Sequence, residues 1–140
     1  MNHKGMYLTE AVFVVVLICL ILLLTPFIKN NICDIKIKYF INSLNNDINY
    51  GLEYSITHYN LVKIKFYPNK HIYKITDGNA FILKEKKYDK SLLIDSYIIY
   101  DVIEITHGHV NEYNYFYLSC GKIKYKVNIY EKSGIINVSK

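Results

Sequence analysis

Two periods divide the chain. From Met6 to Ile28 the residues are apolar almost without a break, and Glu10 is the one charge among them. As a helix rising about 1.5 Å per residue, that run would reach roughly 35 Å, against about 30 Å for a hydrocarbon core. The segment is therefore expected to be a single membrane-spanning helix. A removed secretory signal is the other reading. The run is longer than an ordinary signal core, and it is followed by Thr25-Pro26-Phe27-Ile28-Lys29, a helix-kinking proline where a cleavage site of small residues would stand. His3 and Lys4 precede the run, which places the N-terminus in the cytoplasm and the remainder across the membrane.

Beyond Lys29 the apolar residues fall at three- and four-residue steps. Ile32, Ile35, Tyr39, and then Ile37, Ile41, Leu44, Ile48 and Leu52, make a stripe, with Lys36, Lys38, Asn42, Asn45, Asn46, Asp47 and Asn49 filling much of the rest. That is an amphipathic helix over 29–59. From Leu61 the period becomes two. Leu61–Tyr67 and His71–Ile75 alternate around a Pro68-Asn69-Lys70 turn, and Ala80–Leu83 follows a turn at 76–79. Leu92–Thr106, Tyr113–Ser119, Lys122–Tyr130 and Ile135–Val138 continue the series. The predicted fold class is α+β: one long kinked helix, its first half transmembrane, packed on a C-terminal antiparallel β-sheet over 60–140.

Composition changes this picture little. The net charge is +5, the 17 basic residues are all lysine, tryptophan is absent and there are 15 tyrosines. The chain is long enough for one modest domain beyond the apolar run. Enzyme chemistry finds no support. His107-Gly108-His109 beside Glu104 or Glu112 lacks zinc-site spacing, Ser119-Cys120-Gly121 has no identifiable base, and no glycine-rich phosphate loop occurs. No catalytic, metal or cofactor residue is assigned.

Glu10 is the feature that needs an explanation. A carboxylate within a membrane helix is disfavoured by roughly 2.5–3.5 kcal/mol and usually has a partner or a task. The stretch around it, KGMYLTEAVFVVVLICLILLL, resembles the leader and first helix of type IV pilins and related pseudopilins. In that family a short basic leader ends in glycine, a hydrophobic residue follows, and glutamate is fifth in the mature chain. Gly5, Met6 and Glu10 match these positions, Thr9 fits the residue before the glutamate, and Pro26 falls near the kinking proline of many pilins. Met6 stands where phenylalanine is commoner. The resemblance implies removal of residues 1–5 by a prepilin peptidase cutting between Gly5 and Met6, N-methylation of Met6, and a filament-core helix over 6–28. It further implies that Glu10 pairs with the free amine of a neighbouring subunit.

The segments Leu61–Asn69 and Tyr125–Ile135 are similar to the hairpins of competence minor pilins of Gram-positive bacteria. On that likeness the chain would be a minor pilin of a competence pilus. It would sit first in the cell membrane, single-pass with its N-terminus in the cytoplasm, and later in a surface filament that takes up DNA. Its partners would be the major competence pilin, other minor pilins, the prepilin peptidase, and a membrane platform driven by a separate ATPase. A pseudopilin of a secretion system, and an unprocessed single-span receptor, are the rival readings.

Direct contact with DNA is a further expectation. Lys63, Lys65, Lys70, Lys74, Lys122, Lys124 and Lys126 interleave with tyrosines. Lysine attracts phosphate and tyrosine rings stack on unpaired bases. With no arginine to form a bidentate fork on guanine, such binding would be weak and independent of sequence. Solvated lysines over half-buried tyrosines are the plainer reading. Cys19 is a packing residue of the apolar run. Cys33 and Cys120 are a candidate disulfide, provided their Cα atoms come within about 7 Å.

Overall fold

The computed structural model describes the backbone of residues 3–95 and 102–140, and the side chains of 10–23, 32–95 and 102–140. A single helix, α1 (His3–His58), is followed by β1 (Val62–Tyr67), a 3-10 turn at Pro68–Lys70, β2 (Ile72–Asp77), β3 (Ile82–Lys87) and β4 (Leu92–Asp95). Then come β5 (Val102–Thr106), β6 (His109–Val110), β7 (Asn114–Cys120), β8 (Ile123–Ile129) and β9 (Ile136–Ser139). The chain forms two compact units, Met1–Asp34 and Ile35–Lys140.

In the first unit the described side chains are those of 10–23 and 32–34, and α1 runs through both stretches without a break. Among the described residues no helix is long and apolar enough to cross a membrane. This corrects two expectations. The fold is not a pilin-like helix with a transmembrane first half, and the single-pass placement in a cell membrane that leads to a surface filament has no spanning helix among the described residues to rest on. The leader residues 1–5, with Gly5, and also Met6, Thr9 and the expected kink at Pro26, lie outside the described side chains.

The second unit builds its core from α1 and two antiparallel sheets, where one was expected. The first sheet has the order β3-β2-β1-β5-β6 and the second β4-β7-β8-β9. The stripe of α1 supplies Ile37, Phe40, Leu44 and Ile48, each nearly or wholly removed from solvent. Alternate residues of the strands face them: Val62, Ile64 and Phe66 from β1, Ile103 and Ile105 from β5, Phe116 and Leu118 from β7, Val127 and Ile129 from β8. Burying each such side chain contributes on the order of 1.5–3 kcal/mol. A chain of rings joins the layers. Phe40 meets Tyr73 at 6.2 Å, Tyr73 meets Phe66 at 5.7 Å, and Phe66 meets Phe116 across the two sheets at 5.5 Å.

The chain enters the second sheet at β4, returns to the first for β5 and β6, and then completes the second with β7–β9. Val110 exchanges backbone hydrogen bonds with Lys132 at 3.3 and 2.8 Å, which ties the end of the first sheet to the β8–β9 turn of the second. Helix α1 ends at His58, where Tyr59 takes a left-handed conformation (φ 50°). Gly51 sets how closely the helix can lie on β1 and β5. A Cβ there would stand 2.8 Å from Ile105 Cδ1.

Candidate functional site

Three features of the molecule carry polar or apolar groups that folding alone does not account for. The first is the apolar part of α1. Every large hydrophobic side chain from Val12 to Leu23 is between 46 and 75 % exposed. Ala11 and Cys19 are exposed as well, and so is Glu10 at the head of the stretch. The residues are apolar on all sides of the helix, so no amphipathic face is left for solvent.

The second feature is a buried carboxylate. Asp47 is fully buried on α1, one residue before Ile48 of the core stripe. Tyr73 of β2 donates its hydroxyl hydrogen to Asp47 Oδ2. Lys84 Nζ lies 2.6 Å from Oδ1, and Lys86 Nζ lies 3.0 Å from Oδ2. Lys86 also donates to Ser43 Oγ at 2.8 Å, and Ser43 lies 3.3 Å from the Tyr73 hydroxyl. Burial alone would raise the Asp47 pKa, but hydrogen bonds from Lys84, Tyr73 and Lys86 outweigh it and hold the carboxyl below its ordinary value. Burial, with the carboxylate beside it, pushes the Tyr73 hydroxyl far above the usual tyrosine value. Chemically the cluster is a lock rather than a reaction centre, since every oxygen of the carboxylate is already engaged. It also lets β3, the edge of the first sheet, turn two lysines toward the helix, which discourages pairing with a foreign strand.

Beside this lock lies a cleft of about 370 Å³, lined by Tyr39 and Phe40 of α1, by Tyr88 after β3 and by Leu92 of β4. Lys36 closes on Asp89 at 2.9 Å along its rim. The Tyr88 hydroxyl is buried with no hydrogen-bond partner among the described residues, and burial pushes it up to about 12.

The third feature is lysine and tyrosine on the solvent sides of the sheets. On the first sheet Lys63 is bound by Glu104 at 2.8 Å and Lys74 by Glu85 at 2.9 Å. Lys65 and Lys74 sit 5.6 and 5.9 Å from the Tyr67 ring, while Lys70 lies in the exposed turn beyond. On the second sheet Lys124 stands 4.4 Å from the Tyr117 ring centre and Lys126 4.7 Å from that of Tyr115, with Lys122 in the adjoining turn. The seven lysines named as phosphate contacts therefore divide between two sheets, and on the first sheet two of them are neutralised.

Cys33 and Cys120 are disulfide-bonded, and Cys19 is a free thiol. Ser119 and Cys120 belong to β7. Among the described residues no group of three or more histidine, cysteine or acidic side chains could hold a metal ion. Sequence reading missed the Asp47 cluster. Its signal was an acid bordering the apolar stripe, together with alternating lysines at 84 and 86.

No family model, curated protein or solved structure matches the chain.

Proposed function

We propose that the chain is a pilin-like subunit of a helical filament, joined to its neighbours through Ala11–Leu23 of α1, and that the filament serves DNA uptake in transformation. One observation carries the assembly reading: a helical stretch apolar on every side, with its large side chains 46–75 % exposed. Such a helix is normally covered. Equivalent helices of other copies offer a cover of matching length and polarity. The DNA-uptake part rests on the likeness of KGMYLTEAVF and the later hairpins to competence minor pilins.

Glu10 then has a task. Inside a bundle of apolar helices an unpaired carboxylate is costly, and a cation from an adjacent copy offsets that cost. Cleavage between Gly5 and Met6 would liberate such a cation, the Met6 amine, about one helical turn from Glu10. The implied partners are a major pilin, other minor pilins, a prepilin peptidase, and an assembly platform with its own ATPase. The chain itself binds no nucleotide in this reading.

The test compares wild type with Glu10→Ala. Wild-type filaments should yield a mature chain that begins at methylated Met6, while the variant should fold but stay out of filaments. Filaments built normally from Glu10→Ala, or from chains that still begin at Met1, would contradict the proposal.

A further inference from the structure

The solvent face of the second sheet bears a row of four tyrosine rings. Tyr130, Tyr113, Tyr115 and Tyr117 follow one another with centroid separations of 5.9, 6.2 and 6.3 Å. Strand geometry places Tyr115 and Tyr117 of β7 on one side, a two-residue step of just under about 7 Å apart, and Tyr113 just before β7 and Tyr130 just after β8 continue the row. Asn128 of β8 fixes one member by accepting a hydrogen bond from the Tyr113 hydroxyl at 2.6 Å. Lys124 and Lys126 run beside the row on β8, paired in register with Ser119 and Tyr117.

We infer that this row binds single-stranded nucleic acid, one base to a ring, with Lys124 and Lys126 on the phosphates. The spacing selects the form of the ligand. Bases in a duplex are stacked at about 3.4 Å per step, close to half the separation of the rings. Bases received one per ring must be unstacked, and their strand drawn out. A closed duplex offers neither. The row is sequence-tolerant, since every base has a face on which to stack and no arginine is present to read guanine.

Charge supports the same ligand and bounds its strength. Each lysine now lies over a ring, an exposed contact among the weaker ones, and its flexible stem lets the ammonium leave the ring for a phosphate as a base arrives. Asp95 stands 3.4 Å from Lys124 and offsets part of its charge, so the rings supply most of the affinity. The first sheet lacks this arrangement: its Lys63 and Lys74 are bound by Glu104 and Glu85, and its lysines gather at Tyr67 instead of along a row. The inference deepens the DNA uptake of the proposed function and rests on that reading only for its biological use.

Fluorescence anisotropy of the full-length protein with labelled oligothymidylate tests it. Tyr115→Ala and Tyr117→Ala should each weaken binding by about tenfold, while the corresponding phenylalanine variants retain it. With two phosphates neutralised, affinity should fall by about sevenfold between about 50 and 200 mM salt, and Lys126→Gln should flatten that dependence. Four results would overturn the inference: no binding, equally tight binding of a duplex, equal competition by base-free polyphosphate, or indifference to the alanine changes. Loss of filaments in Glu10→Ala bears on assembly alone, and oligothymidylate binding by that variant should be unchanged.

Discussion

Helix α1 contains two apolar stretches with opposite fates. In Ile37–Ser55 the apolar residues keep to one stripe, and Leu44 and Ile48 at its centre are wholly buried against the strands. In Val12–Leu23 they cover the whole circumference and stand exposed. The contrast teaches that periodicity, more than hydrophobicity, decides whether a helix is satisfied within its own chain. A stripe of one face matches a sheet from the same domain. An all-round apolar surface calls for several neighbours, which one chain of this size does not supply.

The largest effect that could break this comparison comes from placing a charge in the exposed stretch. Leu17→Lys should abolish self-association, read by sedimentation, and leave the urea midpoint of the β-containing unit unchanged. A variant that still self-associates would show that the stretch is not the contact. On the buried side, Asp47→Ala leaves the Tyr73 hydroxyl and two lysines without their acceptor, and should cost about 3 kcal/mol in urea unfolding. A loss near zero would mean that the cluster does not lock the helix to β2 and β3.

Gly51→Val forces methyl groups into the space held by Ile105 and Val62 and should cost about 2 kcal/mol. The same change at an exposed position of the helix should cost much less. Acid supplies a finer probe. The Asp47 carboxyl titrates below its ordinary value in the folded chain, so its stabilisation is fully present above the unfolded pKa of about 3.9. It is lost as the pH falls through the lower folded value. Asp47→Asn should therefore show a flatter loss of stability below about pH 4 than wild type, and equal slopes would remove the ion pairs from the account. Smallest of all, Lys63→Ala breaks an exposed pair with Glu104 and should change stability by about 0.5 kcal/mol or less.

Much of this contrast was legible in the sequence. The three- and four-residue steps marked the stripe of α1, and the strict alternation at Leu61–Tyr67 and Tyr113–Ser119 marked β1 and β7. Strand β3 was harder to read. The pattern predicts Ala80–Leu83, but the strand runs from Ile82 to Lys87, where Asp47 draws Lys84 and Lys86 toward the helix. The division into two sheets could not be read, since it depends on β1 pairing with β5 and β4 with β7, contacts between distant residues with no local signature. A membrane crossing was inferred from the length of the apolar run, and among the described residues no helix is long and apolar enough to make it. The tyrosine row was visible as residues 113, 115 and 117, but its continuation through Tyr130 required the β7–β8 pairing.

The most direct test of the central claim uses the native thiol at Cys19, which is free and exposed within the apolar stretch. Its maleimide labelling would be timed in assembled wild-type material and in the Glu10→Ala variant. The account predicts slow labelling in the assembled protein and fast labelling in the variant, because neighbouring helices cover Cys19 only after assembly. Equally fast labelling in both would contradict it.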